Sequence, residues 1–175
     1  SKLYSFIGPP LLLSFEKFYG FSKEQSMDAV RYYREYYCDR GIFENRVYDG
    51  MENVLKELKN QGKLLVVATS KPEPFARQII EHFHLMQFFD YVAGMEMDGR
   101  RQTKEEVIRY ALDTCRITDK SKVLMVGDRE YDVIGAQALG IDCLGILYGF
   151  GCRDELEKAG ADYIVETVEE ILGFS

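Results

Sequence analysis

From Asp49-Gly50 onward this chain alternates helix-patterned segments with short, continuously apolar runs. Residues 51–59 place Met51, Val54, Leu55 and Leu58 on one stripe, the 3.6-residue period of an amphipathic helix. Residues 63–69 follow without polar alternation, which suits a strand buried on both faces. The pattern repeats. Helices are expected at 72–83, at 103–112 with Val107, Ile108 and Ala111 inward, and at 131–139, stopped by Gly140. Strands are expected at 91–93, 123–126 and 142–147. A short helix at 154–158, a strand at 163–165 and a last helix at 168–172 complete it. Such alternation predicts an α/β fold: a doubly wound parallel sheet of Rossmann type with right-handed crossovers.

The first 48 residues carry no strand pattern. Gly8-Pro9-Pro10 is a breaker, with Pro10 suited to the first turn of a helix over 11–19 that Gly20 caps. Ser22 and Gln25 form a capping box, opening a helix that runs to about Arg40 and stops at Gly41. The expected organisation is therefore a small helical unit, 1–48, on an α/β core, 49–175.

Composition narrows the function. A net charge of −7 argues against nucleic acid as a partner, because phosphate backbones need clustered Lys and Arg. The longest apolar stretches are strand-sized, so no membrane span is expected. Cys38, Cys115, Cys143 and Cys152 show no CxxC spacing and read as free thiols of a cytoplasmic protein. His82 and His84, two apart, face different ways on a helix, which leaves neither a zinc site nor a Ser-His-Asp triad.

Three places carry chemistry. Val123 to Val126 end in Gly127-Asp128, with Asp132 on the first turn of the next helix. Ligands of open α/β sheets bind beyond the carboxyl ends of strands, and two acids there suit Mg²⁺, which takes oxygen ligands and keeps waters. Helix capping explains an Asp at a helix start equally well. Thr69-Ser70-Lys71 end an earlier strand, where hydroxyls and free N–H groups cradle an anion. Lys104 stands near the start of a helix, after the turn-like Asp98-Gly99-Arg100-Arg101. Hydroxyl, ammonium and carboxylate together suit phosphoryl transfer.

In order and spacing these residues resemble the haloacid dehalogenase-like phosphatases, in particular the phosphoglycolate phosphatase-like branch with a helical cap. Thr69 and Ser70 resemble the family's second motif, Lys104 its third, and Gly127-Asp128-x-x-x-Asp132 its fourth. The resemblance implies a Mg²⁺-dependent phosphatase acting on a small phosphorylated metabolite, phosphoglycolate- or nucleotide-like, through an aspartyl-phosphate. Thr69, Ser70 and Lys104 would bind phosphate, Asp128 the metal, and Asp132 the metal through water, a ligand, or only its own helix. One motif departs. The family's Asp-x-Asp, nucleophile and general acid on a central first strand, occurs nowhere in this sequence. This stretch is therefore expected to be inactive, with the first segment lost, the strand donated by another chain, or the flanking strands closed directly. A non-catalytic binding protein and a phosphomutase are the other readings.

Smaller features stay open at this level. Tyr32, Tyr33, Tyr36 and Tyr37 form i, i+4 pairs that suit packing between helices or a substrate pocket. Gly149-Phe150-Gly151 is a turn or a loop near the site. Lys71 is expected to be solvated. Arg31, Arg34 and Arg46 could meet a substrate carboxylate.

Overall fold

A computed structural model describes residue 6, residues 11–98 and residues 100–174; the Gly8-Pro9-Pro10 breaker and Gly99 lie outside them. The chain divides into two compact units, Ser1–Arg46 and Val47–Ser175.

In the first unit, α1 (Leu11–Tyr19) packs on α2 (Lys23–Asp39). Aromatic rings gather around α1, with Phe15 stacked on Phe21 at 6.0 Å and Phe6 set edge-on to Phe15 at 5.2 Å. The capping box forms as its residues predict. Ser22 Oγ accepts from Gln25 N–H at 3.2 Å, and Gln25 Oε1 accepts from Ser22 N–H at 2.9 Å. Tyr33 and Tyr37 stack on each other at 5.3 Å. Tyr32 and Tyr36 are more than half exposed, so packing between helices does not account for them. Tyr36 instead donates its hydroxyl to Glu44 at 2.6 Å.

The second unit alternates helix and strand: α3 (Met51–Asn60), β1 (Val66–Pro72), α4 (Glu73–His82), β2 (Tyr91–Met95), α5 (Lys104–Thr114), β3 (Leu124–Gly127), α6 (Glu130–Gln137), β4 (Asp142–Ile146), α7 (Arg153–Ala159) and β5 (Tyr163–Val165). All strand pairs are parallel. They make two sheets, one of β1 and β2, the other in the order β3-β4-β5. The strands at 66–72 and 124–127 therefore do not close directly on each other, and each keeps one edge without a strand partner among the described residues.

Burial follows this division. In β4, Cys143 joins Ile108, Leu112, Val133, Ala136 and Leu156 in one cluster, while Leu144 joins Val54, Val165, Val168 and Ile171 in another. Successive strand residues point to opposite faces, so β4 is covered on both. By contrast, no residue of β1 is fully buried, and Val126 of β3 is 37% exposed. Helix α5 holds the two sheets together. Its Ile108 and Leu112 enter the β4 cluster, its Val107 and Ala111 pack with Ala93 of β2, and Ala68 of β1 touches both groups.

Two elements differ from expectation. Strand β1 starts and ends three residues later than the apolar run. Its ladder begins at Val66 opposite Tyr91 and passes a bulge to Pro72 opposite Met95. Before it, Asp90 takes over the pairing, accepting Leu65 N–H at 2.8 Å, and Leu64 is left exposed. The last helix is a 3-10 helix, Glu169–Phe174. Val168 and Ile171, three apart, both enter the core, the period of that tighter helix.

Two outcomes follow from this arrangement. Amide exchange should be slowest in β4, bonded on both sides, while alternate amides of β1 and β3 exchange faster; uniform protection across all three strands would contradict the separate sheets. Cys143, fully buried, has its thiol pushed up to about 12 by burial, whereas Cys38 and Cys152 are exposed. At pH 8 alkylation should label Cys38 and Cys152 and spare Cys143 until the protein unfolds. Because the folded value exceeds the unfolded one, about 8.5, this thiol's stabilising contribution is intact below that pH and declines as pH rises above it.

Candidate active site

Lys104 is the first residue of α5, and its position is set by the cap before it. Thr103 Oγ1 accepts from Glu106 N–H at 3.2 Å, and Glu106 Oε2 accepts from Thr103 and Gln102 N–H at 3.0 and 2.8 Å. Hydrogen bonding to the Thr103 backbone holds the Glu106 carboxyl below the usual range, so it stays an ionised acceptor in this helix start. From there Lys104 Nζ donates to Ala68 O of β1 at 3.0 Å and to Asp132 Oδ1 of α6 at 2.7 Å. A lysine has three N–H donors. Among the described residues these bonds use two of them, which leaves one for a ligand oxygen. The lysine and its partner are 12% and 8% exposed.

Both oxygens of Asp132 are engaged. Its Oδ2 accepts from Asp128 and Arg129 N–H, both at 3.1 Å, and its Oδ1 meets Lys104. Among the described residues it caps the start of α6 and pairs with Lys104. The reach is possible because two glycines stand where a side chain would not fit. A β-carbon at Gly127 would overlap the Asp132 carboxylate, and one at Gly135 would lie 2.8 Å from Lys104 Cγ.

Asp128 sits just past the tip of β3. Its Oδ2 accepts from Phe150 N–H at 2.7 Å. The loop after β4 wraps it closely enough that a β-carbon on Gly149 would overlap its side chain. Gly149-Phe150-Gly151 is thus a loop at the site, and its glycines answer to close approach. The neighbouring Arg129 pairs with Glu155 at 2.7 Å, tying the start of α6 to α7.

Thr69 follows Ala68, whose carbonyl accepts from Lys104. Thr69 Oγ1 accepts from Lys71 N–H at 3.1 Å across the bulge of β1. Its own O–H is still a donor, and Ser70 is part of the same bulge. Lys71 departs from expectation: burial pushes its ammonium below the ordinary value. Tyr148, at the end of β4, has its hydroxyl pushed up to about 12 by burial and packs edge-on to Tyr48 at 5.0 Å. The sequence reading missed Arg101. It pairs with Glu73 and Glu96 and lies over Tyr110. Its signal was only the turn-like run before Lys104. Arg31, Arg34 and Arg46 belong to the first unit, where Arg31 pairs with Asp28.

For magnesium, the described residues supply one arm of a site. Asp128 offers a carboxylate with one oxygen engaged, Asp132 has a hydrogen bond or ion pair at each oxygen, and among the described residues no group of three or more His, Cys, Asp or Glu converges. Mg²⁺ commonly takes one or two carboxylates with waters and substrate phosphate, so Asp128 fits as one contributor among several. No helix among the described residues is long and apolar enough to cross a membrane.

This arrangement has close parallels. The family model for haloacid dehalogenase-like hydrolases matches residues 1–146. A 5'-nucleotidase of Pseudomonas aeruginosa is 46% identical over 156 residues, covering 89% of this chain and 70% of that protein. A tyrosine-protein kinase, PtkA, of Mycobacterium tuberculosis is 38% identical over 150 residues, and there this chain spans about half, 51%, of the relative's length. The crystal structure of a predicted phosphatase from Clostridium acetobutylicum superposes with a TM-score of 0.94 at 49% identity, covering 98% of this chain and 79% of that one. With fold and family model in agreement, the chain belongs to the haloacid dehalogenase-like hydrolase family.

Proposed function

We propose that the complete protein hydrolyses a small phosphate monoester, with a nucleoside monophosphate as the favoured substrate class. The observation that carries this reading is the Lys104 ammonium, held between Ala68 O and Asp132 Oδ1 with one donor remaining. Such a charge lowers the cost of gathering negative phosphoryl oxygens in a partly buried place. In this reading Thr69 and Ser70 donate hydroxyls to the phosphoryl oxygens, Lys104 neutralises them, and Asp132 positions Lys104. Asp128 contributes one ligand to Mg²⁺, whose chemistry is to offset charge between a carboxylate nucleophile and the phosphate. The nucleotide is preferred over phosphoglycolate because the 46% identical relative is a 5'-nucleotidase.

Residues 1–48 are read as a cap and 49–175 as the phosphatase core. No residue of this sequence matches the family's Asp-x-Asp nucleophile and acid, so the present chain binds and neutralises phosphate without turning it over. A strand carrying that pair would complete the site beside β1 and β3, whose edges lack a strand partner among the described residues. Its cysteines, all free, suit a cytoplasmic setting.

Titration of the 175-residue chain with inorganic phosphate, followed by amide NMR, tests the cradle. Thr69→Val removes a donor and keeps the ion pair; binding should weaken on the order of tenfold, about 1.4 kcal/mol. Lys104→Met should abolish binding and lower stability by ~3–5 kcal/mol in urea titration, because Asp132 is left buried without its partner. Unchanged phosphate affinity in both variants would sink the reading. In a version carrying an Asp-x-Asp strand, Asp128→Asn should lower phosphate release from nucleoside monophosphates and raise the Mg²⁺ concentration needed for half-maximal rate. An unaltered Mg²⁺ dependence would remove Asp128 from the metal.

A further inference from the structure

Arg101 stands three residues before Lys104 with φ of 51°, left-handed backbone that is costly for a residue bearing a side chain. Strain of this kind persists where the surroundings over-determine it, and those surroundings are specific here. The guanidinium lies 3.7 Å from the centroid of the Tyr110 ring. One nitrogen pairs with Glu96 Oε1 at 3.1 Å, and another with Glu73 Oε2 at 3.5 Å. The side chain is 17% exposed, and Nε is buried without a hydrogen-bond partner among the described residues.

The partners belong to different elements. Glu73 opens α4, directly after the Thr69-Ser70-Lys71-Pro72 arm. Glu96 follows the end of β2, and Tyr110 lies on α5, the helix that Lys104 begins. Glu73 and Tyr110 are themselves held by further contacts. Glu73 Oε1 also accepts from Arg77 Nε at 3.2 Å, and Arg77 donates onward to Val92 O at 3.2 Å. Tyr110 shares a hydrogen bond with Tyr91 at 2.8 Å. One planar cation therefore joins the arm bearing the phosphate hydroxyls to the helix bearing the phosphate ammonium.

We propose that Arg101 is a positioning residue that sets the spacing between the Thr69–Lys71 arm and Lys104, and with it the geometry of the phosphate cradle. This rests on the phosphatase reading above for the identity of the ligand, but not for the coupling between the arms. A guanidinium fork on an aromatic face does this where a lysine does not, since an ammonium is a single point of charge.

The test uses the 175-residue chain with inorganic phosphate as probe. Arg101→Gly suits the left-handed backbone and removes only the side chain, so it should unfold cooperatively. Its Lys71 amide, which donates to Thr69 Oγ1, should exchange at least about tenfold faster while the amides of β4 keep their rates, and phosphate affinity should fall by about tenfold. Arg101→Lys should be intermediate in both. General destabilisation would speed β4 and Lys71 alike, and that result overturns the proposal, as does wild-type Lys71 exchange in Arg101→Gly. If Arg101→Gly does not fold, Arg101→Lys decides: wild-type Lys71 exchange and affinity in that variant overturn the proposal. If the unaltered chain binds no phosphate, the phosphatase reading fails, and Lys71 exchange still decides the role of Arg101.

Discussion

The Lys104–Asp132 ion pair is the interaction on which the rest of the site depends. It lies in a place where the backbone provides no link: β1-β2 and β3-β4-β5 form separate sheets. What joins them is α5, whose apolar side chains serve two clusters and whose first residue reaches Ala68 O in one sheet region and Asp132 in the other. A buried pair is weak evidence of net stability, since desolvation offsets most of the attraction. Its effect here is geometric. It holds one cation between β1 and the first turn of α6.

That choice divides the two carboxylates. Asp132 serves the fold, holding the lysine with one oxygen and two backbone N–H groups with the other. Asp128 accepts the Phe150 N–H through one oxygen, and its other oxygen has no hydrogen bond among the described residues. Two acids four residues apart thus have different surroundings. Gly127, Gly135 and Gly149 permit it by leaving space for a side chain opposite.

Much of this was legible in the residues. Alternating periods of 3.6 residues and continuous apolar runs placed β3, β4 and α5 closely, and Ser22 with Gln25 marked the start of α2 by a local hydrogen-bond pattern. Lys104 and Asp128 could be singled out because they stand where a helix begins and a strand ends, whereas Thr69, expected at a strand tip, lies within β1 just before its bulge. The misses have a common cause. The extent of β1 was set by its partner β2 and by Asp90, which lies 25 residues from the Leu65 N–H it accepts and is invisible to any local pattern. The tyrosines of α2 follow helical spacing, yet Tyr32 and Tyr36 face outward, because spacing names a stripe and not what covers it.

By itself, then, the sequence determined the class of fold, the order of the elements and the residue types offered at each strand tip, since these follow from side-chain period and local hydrogen bonding. Only the tertiary structure decided that Asp132 is committed to Lys104, that Gly149-Phe150-Gly151 closes on Asp128, and that Arg101 ties the two arms together. Those are contacts between residues distant in sequence or on separate elements. Their energies depend on separations of about 3 Å, which local pattern cannot encode and packing sets.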